Sequence, residues 1–226
     1  MTALPHTSPF RPLTASDLAV LPTRLPTGDV RYELDDGVLV VMAPPGDFHS
    51  EKQSAVIIAL GTHAQSKGLG KIRGEVGIVL RRNPDRVVGA DAAFLTTDQL
   101  PAKRSKEGYL ETIPKLVIEL RSKNDTASEV EGKVREYLSA GVEAVWVLDD
   151  AIAEISVYAT GAATRILGST DLLTAPSCPV SPYRSSSSSH DAGVHSAPVH
   201  FFFFSNASTY FLGLSLNSSM QPEQQT

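Results

Sequence analysis

The sequence predicts one α/β domain of the α+β kind, and three observations predict it. Short apolar runs rich in valine and isoleucine recur from Val30 to Leu167. Two stretches between them, His49 to Lys67 and Ala127 to Ser139, space their apolar residues at helical intervals. Two of the strand-like runs carry a carboxylate in their apolar middle, Asp91 and Glu119. A carboxylate there is costly unless something positive pairs with it. The rest of the chain reads as the scaffold for that pair.

At 226 residues there is room for one domain of ordinary size plus a tail, and 42% hydrophobic residues suffice for a real core. The net charge of −5 excludes a general electrostatic binder of nucleic acid; a local basic patch would have to meet it. The single cysteine, Cys178, allows no internal disulfide and argues against a thiolate metal site. Met1 to Pro12 contains prolines and no apolar h-region, so no secretory signal is expected. No apolar stretch approaches the roughly 20 residues of a bilayer span. The expectation is an intracellular, cytoplasmic protein without a membrane segment.

Residues 1–13 read as a flexible lead. Thr14 to Leu21 has a hydroxyl N-cap candidate and Asp17 three residues on, hence a short helix stopped by Pro22. Val30 to Leu34 and Val38 to Met42 flank Asp36-Gly37, the strong signal for a tight hairpin. Glu33, on its first strand, reads equally well as an exposed edge charge. Pro44-Pro45-Gly46 breaks the sheet before the helix from His49 to Lys67, which Gly68 caps. His49, at its start, reads equally as a helix-terminus histidine with no catalytic role. Lys71 to Leu80 alternates as a strand, Asn83-Pro84-Asp85 turns, and Arg86 to Leu95 is the Asp91 strand. Thr96 to Ile113 is polar, with Lys103, Arg104 and Lys106, and reads as a flexible basic loop. The Glu119 strand follows, then the helix with Val130, Val134, Tyr137 and Leu138 on one face and Lys133 flanking it. Ala144 to Asp149 is a strand, and Glu154 to Tyr158 pairs with Ala163 to Leu167 in a last hairpin. The domain therefore spans 14–174. Residues 175–226, with a serine run at 185–189 and a phenylalanine run at 201–204, lose all periodicity and read as a disordered tail.

Two carboxylates on two apolar strands, able to project from one sheet toward the same point, suit a hard divalent cation, Mg2+ above all, with waters completing its shell. Such an ion lowers the pKa of a bound water and neutralises a phosphate oxygen. A nearby ammonium orients the water or stabilises developing charge. That is a minimum set for phosphodiester hydrolysis. Buried acids also occur in plain structural ion pairs, for instance with Arg121. A Ser–His–Asp hydrolase is disfavoured by the lack of a Gly-x-Ser-x-Gly elbow, and no His or Cys pair has zinc spacing.

Tyr32-Glu33-Leu34 with Asp36-Gly37, Val40 to Pro45, His49-Ser50, Ala90 to Phe94, Pro114 to Ser122, Lys133 to Tyr137 and Gly141 to Asp149 follow one another in a recognisable order. Over roughly Leu13 to Thr174 the chain resembles the Uma2-type restriction endonucleases of the PD-(D/E)XK nuclease superfamily. The resemblance implies a restriction-endonuclease-like core, a mixed central sheet flanked by helices. It implies metal ligation by Asp91 and Glu119, with Mg2+ (or Mn2+) as cofactor, and assistance from Glu33 and His49. It implies DNA as the nucleic-acid partner and a homodimer, since nicking both strands needs two sites. The chain departs from the pattern in three places. Ala90 replaces the usual proline, Arg121 stands where a lysine is expected, and the sequence after Pro176 diverges. An arginine stays protonated and cannot act as a base. Lys133 is the candidate for a migrated catalytic lysine, with Lys123 second. The alternatives are an inactive nuclease-fold binding or regulatory module, and an unrelated enzyme in which His49 faces a pocket away from Asp91.

Overall fold

The structure, a computed structural model, describes residues 11–149, 151–152, 154–168, 200–206 and 209–215. The chain opens with helix α1 (Ala15–Leu18), whose Thr14 amide and hydroxyl both donate to the Asp17 carboxylate, at 2.7 and 2.8 Å. Arg11 grips the same carboxylate in a fork. A small ribbon of β1 (Arg24–Leu25) and β2 (Gly28–Asp29) follows; two-residue strands carry no period for the sequence to reveal. The hairpin is β3 (Arg31–Asp35) against β4 (Val38–Met42). Asp36 and Gly37 both take positive φ, 50° and 80°, as the tight turn requires.

Helix α2 (Asp47–Ser66) leads into β5 (Gly70–Arg81) and β6 (Arg86–Thr96), a long antiparallel pair. A single 3-10 turn, Thr97–Gln99, opens the next connection. That connection is not the free basic loop its composition suggested. Leu110 is buried and bridges Ile78, and Lys103 pairs with Glu111. The apolar residues of this stretch, Leu100, Ala102, Tyr109, Leu110 and Ile113, follow neither a helical nor a strand period, so the anchor was invisible.

Strand β7 (Leu116–Leu120), helix α3 (Ala127–Ser139) and β8 (Ala144–Asp149) form a βαβ unit with β7 parallel to β8. Thr126 caps α3, accepting from the Glu129 amide while Glu129 accepts from the Thr126 amide at 2.9 Å. Strands β9 (Glu154–Ala159) and β10 (Arg165–Leu167) close the sheet. Its order is β10-β9-β8-β7-β6-β3-β4, with β5 also paired to β6, so the sheet is mixed as expected.

Helix α2 covers one face, where Val56, Leu60, Phe94, Ile118 and Trp146 pack. Helix α3 covers the other, where Val134 and Tyr137 meet Val88, Leu95, Val117 and Val145. Alternate residues of β6 and β7 thus enter two separate cores, which is why these strands read as almost continuously apolar. In the tail, β11 (His200–Asn206) and β12 (Thr209–Ser215) pair antiparallel. The rest of 169–226, and residues 1–10, lie outside the described residues.

Candidate active site

The geometry follows from how strands share β6. Strand β5 runs along its whole length, from Gly70↔Thr96 to Arg81↔Arg86. A strand has two edges, so β3 and β7 must share the other. β3 takes it at Val87 and β7 at Ala92 to Phe94. Between them the two strands part. On that edge the backbone of β6 from Val88 to Asp91 would be left without a ladder partner, and unsatisfied buried amides are costly. Side chains fill the gap. The Gly89 amide donates to Glu33 Oε1 at 2.9 Å. The Gly89 carbonyl accepts from Lys133 Nζ at 3.4 Å. The ladder of β6 against β7 ends at Ala92 opposite Ile118, one residue short of Asp91 and of Glu119. There the Leu120 amide donates to Asp91 Oδ2 at 2.7 Å instead of to a strand carbonyl.

Each acidic residue is held by one helix at two positions a turn apart. From α2, His49 Nε2 lies 3.0 Å from Asp91 Oδ1, and Gln53 Nε2 donates to the Asp91 carbonyl at 2.6 Å. From α3, Lys133 Nζ lies 3.0 Å from Glu119 Oε2, and the Tyr137 hydroxyl donates to Glu119 Oε1 at 2.6 Å. Residues four apart share a helix face, so each helix presents a matched pair. The helices lie on opposite faces of the sheet, and the two carboxylates meet where it parts. Their side chains keep 17% and 13% exposure, enough to reach solvent from a mostly buried setting.

The electrostatics are uneven. Burial pushes the Glu119 carboxyl up to about 6; Lys133 opposes the rise and Asp91 adds to it. Burial works against the Lys133 ammonium, but Glu119 and Glu33 outweigh it and hold its pKa above the ordinary lysine value. His49 is raised by its hydrogen bond to Asp91, against its own burial. Tyr137 is raised well above the phenol value by burial and by Glu119.

All five residues singled out in the sequence, Glu33, His49, Asp91, Glu119 and Lys133, therefore gather at this one break. Glu33 is not the exposed edge charge it resembled: it is 6% exposed and reaches Arg86 at 3.9 Å. His49 faces Asp91, not a pocket remote from it. Arg121 pairs with Asp149 at 2.7 Å and so is not the ion-pair partner of Glu119. Lys123 lines an open cavity beside the site. Gln53, Tyr137 and Gly89 were missed. For the first two the available signal was the spacing of four from His49 and from Lys133.

Fold and arrangement define the class: a nuclease-type α/β fold, in which a mixed sheet splays around two carboxylates. It is similar to the crystal structure of "a putative nuclease belonging to DUF820" from Anabaena variabilis, at 19% identity and a TM-score of 0.58, over 74% of this chain and 90% of that one. The chain belongs to the Uma2 family, described as "Putative restriction endonuclease", whose model matches residues 20–181. No curated protein matches it. No helix among the described residues is long and apolar enough to cross a membrane.

Proposed function

We propose that this chain is a Mg2+- or Mn2+-dependent endonuclease that hydrolyses phosphodiester bonds of DNA. The observation that carries the reading is the meeting of Asp91, Glu119 and Lys133 at the break between β3 and β7.

The donor set fits a hard divalent cation. Among the described residues no three or more His, Cys, Asp or Glu side chains come together as a metal centre. The protein would supply two carboxylates, Asp91 and Glu119, which is what Mg2+ takes when it keeps several waters. Each carboxylate oxygen has one named hydrogen-bond partner and so retains a further lone pair. The raised pKa of Glu119 marks negative charge that its surroundings leave undercompensated, and a cation would relieve it. Bound there, the ion supplies a water of lowered pKa and neutralises charge on the scissile phosphate.

The chain's own residues do the rest. Lys133 stays an ammonium at neutral pH, so it serves as a fixed positive charge that orients the attacking water and stabilises the developing oxyanion, and it is not the base. His49 and the Leu120 amide fix the Asp91 carboxylate; Tyr137 fixes Glu119. Glu33, bonded to Gly89, holds the strand that carries Asp91 and adds to the charge that keeps Lys133 protonated. Cutting both strands of a duplex calls for two such sites, hence a homodimer.

The test is cleavage of supercoiled plasmid by the full chain with and without Mg2+, beside Asp91→Ala. Metal-dependent nicking that disappears in the variant supports the reading. A folded, metal-supplied protein that leaves the plasmid intact overturns it in favour of a nuclease-fold binding module.

A further inference from the structure

Beside the carboxylates lies an open cavity of about 980 Å³, walled by the start of α2 and by the loops that follow β7 and β8. It is continuous with the candidate active site. His49 and Leu120 both line it, and both hydrogen-bond the Asp91 carboxylate, one through its ring and one through its amide. Its wall includes Phe48, which is 57% exposed. The exposed part of its ring offers a flat apolar surface on which a planar group can stack. Lys52 Nζ stands 5.0 Å from the centre of the Phe48 ring. Ile152, 59% exposed, extends the apolar wall.

The charges in the cavity decide what it suits. Arg121 is engaged by Asp149, and the Asp125 carboxylate accepts from the Ser122 amide at 2.7 Å. Asp47 and Glu154 offset Lys52 and Lys123. The space is therefore nearly neutral and lacks the excess positive charge that a run of phosphates needs. A neutral, flat, aromatic group matches it.

We propose that this cavity takes an unpaired nucleobase of the nucleic acid, stacked on Phe48, with the flanking phosphates left outside it. The inference rests on the nuclease reading for the identity of the polymer. Base–aromatic stacking tolerates any base, so the contact favours single-stranded or locally opened substrate over intact duplex without selecting a sequence.

The test measures binding without metal, so that cleavage plays no part. Full-length wild type, Phe48→Ala and Phe48→Trp are titrated in EDTA against a fluorescent mixed-sequence 12-mer, by anisotropy. The 12-mer is used single-stranded, as a duplex, and as an abasic strand of equal length. Wild type should bind the normal single strand more tightly than the other two. Phe48→Ala should weaken that binding by about ten- to a hundredfold, leave duplex binding within about twofold, and Phe48→Trp should restore it. Phe48 is exposed, so the variants should keep the wild-type melting temperature. Equal affinity for normal and abasic strands, an unchanged Phe48→Ala, or no single-strand binding by wild type each overturns the proposal. The two readings fail separately. Asp91-dependent cleavage with an indifferent Phe48 sinks the base pocket alone, while Phe48-dependent binding without cleavage sinks the nuclease alone.

Discussion

Lys133 reaches from α3 to within 3.0 Å of Glu119 Oε2, from the far side of a loop and fourteen residues along the chain. The cation closest in sequence, Arg121, turns to Asp149 instead. Strand geometry explains the difference. Arg121 lies just past the end of β7, where its amide donates to the Leu148 carbonyl at 2.8 Å and its guanidinium meets the neighbouring strand's last residue. Lys133 sits two turns into a helix whose start is pinned by Thr126 and Glu129. The helix, not the strand, fixes the positive charge. Lys133→Met should therefore reduce metal-dependent plasmid nicking by about a hundredfold or more, and Arg121→Gln should cost far less. Equal losses would show that the charge on the strand matters as much as the charge on the helix.

The clamp on Asp91 sets a second expectation. Its carboxylate is oriented by His49 and by the Leu120 amide, and only the first can be removed by substitution. Groups that orient a ligating carboxylate typically contribute 10- to 100-fold in metal affinity. His49→Ala should weaken Mn2+ binding by about that factor in calorimetric titration. Gln53→Ala should weaken it less, because Gln53 holds the Asp91 carbonyl and not the carboxylate. An unchanged affinity in His49→Ala would show that His49 does not orient a ligand of the proposed metal site.

Tyr137 separates packing from polar support. Its ring lies wholly inside the α3 core, and its hydroxyl donates to Glu119 at 2.6 Å. Tyr137→Phe keeps the ring and deletes a bond to a buried carboxylate, which should cost about 1–3 kcal/mol in urea unfolding. Tyr137→Leu, which removes ring volume as well, should cost more. A Tyr137→Phe protein as stable as wild type would mean that Lys133 alone satisfies Glu119.

Much of this was legible from the residues. Asp36-Gly37 marked the hairpin, the spacing of Val130, Val134, Tyr137 and Leu138 marked α3, and the two acids stood out because their strands were otherwise apolar. The strand order was not legible. A period of two tells which face a residue meets but not which strand lies beside it. Nothing local in Arg86 to Thr96 says that β3 and β7 share one edge of that strand, and the break between them is what gathers the site. The same blindness hid Gly89. Its amide and carbonyl serve Glu33 and Lys133, and an added Cβ would stand 3.3 Å from Glu33 Oε1, yet in sequence it is only a glycine in a strand. Arg86, joined to Glu136 at 2.6 Å and to the Leu34 carbonyl at 2.8 Å, ties α3 to the hairpin in the same unannounced way.

The Glu119 carboxyl makes the metal-free protein's stability depend on pH with a definite sign. Its ordinary value is 4.5, and burial foremost lifts it to about 6 in the folded state. Between those values the folded chain holds a proton that the unfolded chain has lost. Stability must then fall as pH rises through that window, by about 2 kcal/mol from this group, and level off above it. His49 acts over a higher range. Its pKa is raised above 6.5, so the stability it contributes is complete below 6.5 and is lost as pH climbs through its folded value. The two contributions can be told apart by substitution. Urea unfolding from pH 4.5 to 8 should show a descent in wild type whose lower part disappears in Glu119→Gln, while the upper part remains. His49→Gln should keep the lower part and lose the upper. If Glu119→Gln follows wild type throughout, the carboxylate is better compensated than its burial implies, and the case for a cation beside it loses its electrostatic footing.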